Sequence, residues 1–95
     1  MEATGSKRIR EIVYEAMLAA SVPGFLNADM RRAFMVEGKD FRLAELDMDS
    51  LARMEFCINL ELSTGVTLLP QQLETFASTA VIEAWLGERL APSQR

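Results

Sequence analysis

The sequence predicts an all-α protein: a small antiparallel four-helix bundle, with three longer helices, one short helix and a long first connection. Three observations carry this expectation. Apolar residues recur at helical spacing in three segments. These segments are bounded by residues that start or stop helices. No stretch sustains the apolar–polar alternation of a strand. The 95 residues suffice for one domain, read here as 1–95 with an ordered core of about 7–90.

The first helix is expected from about Lys7 to Ala20, where Ile9, Ile12, Val13, Ala16, Met17 and Ala20 recur at helical spacing. Ser6 is its expected N-cap, and Pro23-Gly24 its stop. The connection over about 21–48 contains Phe25, Phe34, Phe41, Leu43 and Leu46, so it is expected to pack on the bundle, with a short helical turn near Asp29–Met35. The second helix runs from Asp49-Ser50 to about Ser63, with Asp49 as N-cap and Gly65 at the left-handed C-terminal position. At about 100° per residue it carries two apolar stripes. Leu51, Met54, Ile58 and Leu62 form one; Phe56, Cys57 and Leu60 form the other. One stripe packs the helix, and the other faces a partner, a ligand or a second layer of core, such as cover by the long connection. A short third helix fits Gln71–Thr75 behind Pro70. The last fits Thr79 to about Leu90, with Ser78 as N-cap and Val81, Ile82, Trp85, Leu86 and Leu90 inward. Pro92 then closes the structured part.

Composition limits the chemistry. There is no histidine, which removes the commonest general base and the Ser-His-Asp triad. Cys57 is the single cysteine, so it forms no internal disulfide and no cysteine-based zinc site. It sits on an apolar stripe and reads as a core residue rather than a nucleophile. No apolar run is long enough to span a bilayer, and Met1–Arg10 leads into no apolar signal segment; a soluble cytoplasmic monomer without membrane insertion is expected. Residues 44–83 hold seven acidic residues against Arg53 alone. Such a surface repels nucleic acid and attracts basic protein patches. Arg31-Arg32 reads as a solvated pair, and Trp85 as a core or interface anchor.

The central constellation is Glu45-Leu46-Asp47-Met48-Asp49-Ser50-Leu51, which places a hydroxyl where a loop meets a helix N-terminus. That position offers unsatisfied N–H groups and the positive end of the helix dipole, suited to a phosphate ester. Asp49-Ser50-Leu51, with Glu55 one turn on, resembles the attachment motif and recognition helix of the acyl carrier protein family. Gly65-Val66-Thr67-Leu68-Leu69-Pro70 resembles the family's lead into its short third helix. Phe76-Ala77-Ser78-Thr79 followed by Trp85-Leu86 resembles the entry and buried face of its last helix. The resemblance spans about Arg8 to Leu90. Asp47 stands where the family's turn glycine is usual. Arg53, Asn59, Leu62 and Ser63 make the helix less acidic than in housekeeping fatty-acid carriers, and Thr64 stands where a large apolar residue is common.

The resemblance implies a carrier without catalysis of its own. A phosphopantetheinyl transferase moves the 4'-phosphopantetheine arm from coenzyme A onto Ser50, and the arm's thiol holds acyl groups for acyl-loading and acyl-processing enzymes. Asp49 and Leu51 flank the attachment point. Asp47, Met48, Leu51, Met54, Glu55, Ile58 and Glu61 form the implied partner face. Phe56, Leu60, Val66, Leu68, Ile82 and Leu86 line the implied core, where a family member can shelter an acyl chain. The pathway implied is fatty-acid, polyketide or related lipid synthesis. An aminoacyl or peptidyl carrier, and an unmodified helical interaction domain, are the alternatives.

Overall fold

The computed structural model describes the backbone of residues 2–90 and side chains from Arg8 onward. Its elements are α1 (Glu2–Ala19), a 3-10 turn (Pro23–Leu26), α2 (Ala28–Met35), α3 (Leu43–Leu46), α4 (Ser50–Thr64), α5 (Pro70–Leu73) and α6 (Thr79–Leu90). Among the described residues there is no strand, only an isolated antiparallel bridge between Arg42 and Ser78. The all-helical expectation holds; among the described residues there are six α-helices and a 3-10 turn, against the four helices expected. No described helix is long and apolar enough to cross a membrane.

The difference lies mainly in the first connection. Three phenylalanines make its exclusion from solvent favourable, and helical turns satisfy the backbone polar groups that burial would orphan. α1 stops in a Schellman motif: Val22 N–H donates to Met17 O at 3.1 Å and Ser21 N–H to Leu18 O at 3.0 Å. Ser21, at φ 55°, takes the left-handed position usually given to glycine. α1 therefore ends before Pro23, whose fixed φ instead opens the 3-10 turn. Asn27 caps α2, its Oδ1 accepting from Asp29 N–H at 2.8 Å and Met30 N–H at 3.2 Å. Gly24 lies against α3: a Cβ there would stand 2.8 Å from Leu46 Cα, closer than real Cβ contacts. At the chain start α1 extends back to Glu2, so Ser6 lies within the helix and is not its cap. Pro92 lies outside the described residues.

The core is one cluster. Val13, Ala16, Met17 and Ala20 of the first segment pack with Phe56, Cys57 and Leu60 of α4, Leu68, Leu73, and Ile82 and Leu86 of α6. Ile9, Ile12, Val66, Trp85 and Leu90 pack partly buried against it. Val81 is instead exposed, because the face of α6 toward α1 passes through Ile82 and Leu86. From the connection, Phe25 and Phe34 are fully buried and meet at 5.2 Å between ring centres; Tyr14 of α1 lies 5.8 Å from Phe25 and 6.2 Å from Phe34. Phe41 closes the group, 6.2 Å from Phe25. Burying such side chains contributes about 1.5–3 kcal/mol each.

The N-terminus of α6 is capped from a distance. Asp40 Oδ1 accepts from Ala80 N–H at 2.8 Å and from Thr79 Oγ1 at 2.9 Å. Thr79 Oγ1, fully buried, in turn accepts from Phe41 N–H at 3.1 Å. The expected Ser78 cap is thus replaced by a carboxylate from the first connection. Burial opposes the Asp40 charge, but the Ala80 amide, the Thr79 and Ser78 hydroxyls and Arg10 outweigh it, so its pKa lies below the ordinary value. Arg10 donates to Phe34 O and pairs with Glu83 at 3.2 Å, tying α1 to α2 and α6. Half-burial nonetheless raises the Glu83 pKa, with the Asp40 charge adding to it and Arg10 opposing.

Thr79→Val keeps the shape of that side chain and removes its hydroxyl. Urea unfolding should show a loss of about 1–3 kcal/mol, the cost of leaving the Phe41 N–H unpaired. Asp40→Asn tests the cap through pH. A lowered folded pKa contributes stability that is complete above the ordinary value of 3.8 and is lost as pH falls through the lowered one. The stability gap between wild type and Asp40→Asn should be constant near neutrality and close below about pH 4.

Candidate functional site

The segment that delivers Ser50 is shaped by two caps. α3 ends at Asp47, which adopts φ 58°, ψ 42°. Left-handed backbone suits glycine, and aspartate is among the few other residues that enter it at modest cost. Asp47 thus makes this turn in a backbone conformation that a glycine would adopt at lower cost. Asp49 then takes extended backbone and caps α4, its Oδ1 accepting from Ala52 N–H at 2.8 Å, while its carbonyl accepts from Arg53 N–H at 2.9 Å. Ser50 is the first helical residue, and its side chain is exposed. The helix ends as expected at Gly65, φ 76°, whose N–H donates to Glu61 O at 2.7 Å.

α4 separates its two stripes cleanly. Phe56, Cys57 and Leu60 face the core, at 0%, 5% and 0% exposure. Leu51, Met54, Ile58 and Leu62 face solvent, at 57%, 45%, 50% and 79%. The long connection packs against α1 and does not cover this second stripe. Asp47, Asp49 and Glu61 are exposed and Glu55 half-buried, so carboxylates border the apolar surface. Glu61 accepts from Thr67 Oγ1 at 3.3 Å. Met48 is half-buried and packs against the core cluster. Every residue read as partner-facing in the sequence therefore lies on or beside the outer side of α4, with Met48 turned partly inward.

A half-open cleft of about 300 Å³ lies between the Asp47–Met48 turn, α4 and α5; Leu43, Asp47, Met48, Arg53, Glu74 and Phe76 are among its lining residues. Arg53 reaches into it, donating from Nη1 to Met48 O at 2.9 Å and standing 3.5 Å from Glu74 through Nη2. The sequence offered no signal for this pair, because Arg53 lies on α4 and Glu74 at the end of α5, far apart in the chain. Phe76 packs against Trp85 at 5.9 Å and the Arg89 guanidinium lies over the Trp85 ring at 4.3 Å, so Trp85 is an anchor of α6. Arg31 is not merely solvated: its Nη1 donates to Phe25 O at 2.7 Å.

The chemistry available is limited. Burial pushes the Cys57 thiol up to about 11, so it stays protonated near neutrality. No group of three or more His, Cys, Asp or Glu among the described residues could hold a metal ion. Ser50 has no histidine in the chain to activate it. What the site presents is an exposed hydroxyl at a capped helix start, beside an apolar stripe bordered by acids.

Asp47→Val places a β-branched side chain at the left-handed position. It should cost about 1–2 kcal/mol, read as a lower urea midpoint at unchanged slope. Asp47→Gly, which the turn accepts freely, should show no such loss.

No protein-family model, no curated protein and no solved structure matches this chain.

Proposed function

We propose that this chain is an acyl carrier protein, holding acyl groups as thioesters on a 4'-phosphopantetheine arm attached to Ser50. The observation that carries the reading is the exposed Ser50 hydroxyl at the first position of a helix capped by Asp49. It stands in a sequence context that resembles the family's attachment motif. The residues fit the arm: Asp49, Ser50 and Leu51 are all exposed, so a bulky substituent meets no obstruction. In the transfer, a bond forms between Ser50 Oγ and a phosphorus of coenzyme A. The pyrophosphate bond breaks, the adenosine bisphosphate half leaves and the hydroxyl proton passes to the transferase. The arm supplies the thiol; the chain supplies position and recognition.

On this reading α1, α4 and α6 are the long helices of an antiparallel bundle and α5 its short one. Leu51, Met54 and Ile58 dock the transferase and the acyl-loading and acyl-processing enzymes, with Asp47, Glu55 and Glu61 attracting basic residues on those partners. The protein works as a cytoplasmic monomer in fatty-acid, polyketide or related lipid synthesis and catalyses nothing by itself. A second reading, an unmodified helical interaction domain, draws on the same exposed stripe of α4, which would bind a protein without any arm. An aminoacyl or peptidyl carrier would use the same serine and arm.

The deciding experiment is intact-protein mass spectrometry after incubation with coenzyme A and a broad-specificity transferase shown active on another carrier. The expected result is one phosphopantetheinyl increment on wild type and none on Ser50→Ala. Circular dichroism of Ser50→Ala should match wild type, because Asp49 still caps the helix. No increment on folded wild type would select the unmodified interaction domain.

A further inference from the structure

Arg53 is the one basic residue between positions 44 and 83, and the carrier reading gives it no role. It follows Ser50 by three residues on α4, so the two side chains are surface neighbours. Its guanidinium is held in the cleft beside the Asp47–Met48 turn, at 26% exposure. One contact, to Met48 O at 2.9 Å, is a good hydrogen bond. The other is loose: Nη2 to Glu74 is 3.5 Å, against about 2.7–2.9 Å for a strong charge-assisted bond, and Glu74 is 57% exposed. A guanidinium has more donors than these contacts use.

Resting on the carrier reading, the geometry points to an exchange: Arg53 keeps Met48 O, releases Glu74, and binds an anionic oxygen group borne by the arm on Ser50. That group is either the arm's phosphodiester or a carboxylate on its cargo; both offer paired oxygens that match the guanidinium fork. The exchange favours the arm because a paired-oxygen anion can meet the guanidinium fork at charge-assisted distance, whereas the Glu74 contact is long and solvent-exposed; the tether keeps that anion within reach. Releasing Glu74 also removes the ion pair that spans α4 and α5 across the cleft. Arg53 is thus a positioning residue for the arm; where the cargo carboxylate is the group it binds, carboxylated acyl groups are the cargo class it retains.

The test follows the Arg53 Nε–Hε signal in proton–nitrogen spectra, with Arg53→Lys used to assign it. Samples are the unmodified chain and chains bearing the arm alone, an acetylated arm and a malonylated arm, each first checked by mass. A shift on adding the arm alone, kept in the acetyl form, identifies the phosphodiester as the partner. A shift confined to the malonyl form identifies the cargo carboxylate. In either case Glu74→Gln should move the unmodified signal by disconnecting the same pair. An Arg53 signal that is the same in every loaded form as in the unmodified chain overturns the exchange, while the mass increments leave the carrier reading standing. Failure of wild type to take the arm at all overturns that reading and this one with it.

Discussion

The burial of Phe25 and Phe34 against Tyr14, with Phe41 packed on Phe25, is the constraint from which the rest of the molecule follows. The connection between α1 and α4 is long, and an unpinned loop of that length would leave the start of α4 without a defined position. Three large aromatic side chains withdrawn from water hold it against α1. Once it is held, its backbone must satisfy its own polar groups, and it does so as short helices and turns. Gly24 permits the 3-10 turn to touch α3, and Asp40 and Thr79 join the far end of the connection to α6.

That anchoring gives α4 its orientation. With Phe56, Cys57 and Leu60 drawn into the core, the opposite stripe has nothing left to pack on and remains in solvent. Ser50 comes out at the end of this exposed surface, immediately after a left-handed turn at Asp47 and a cap from Asp49. The polar links follow the same economy: among the described residues no buried side-chain nitrogen or oxygen lacks a hydrogen bond. Arg10, Asp40 and Glu83 form a charged group between α1, α2 and α6. There burial raises the Glu83 pKa, whereas hydrogen bonds overcome burial at Asp40.

Signals confined to one segment were readable in advance. The long helices, the Asp49 cap, the Gly65 stop and the apolar face of α1 all rest on patterns within a few residues. The short turn expected near Asp29–Met35 is a full helix, α2, whose cap at Asn27 is itself a local signal. The reading of α6 shows the limit. Its start at Thr79 agrees, but its cap is Asp40, far back in the chain, rather than the adjacent Ser78. Propensity ranks Ser78 as a good cap; only the docked connection brings a better acceptor to the same N–H.

By itself, then, the sequence determined that the chain is helical, where its long helices run, and that a serine stands at a helix start in a context resembling an attachment motif. Periodicity and capping are properties of neighbouring residues, so they survive without a fold. The tertiary structure decided which stripe of α4 is buried, how the long connection is held, what caps α6, and that Arg53 meets Glu74 across a cleft beside Ser50. Each of these depends on elements far apart in the chain, and no local pattern records which partner a side chain will meet once the core has closed.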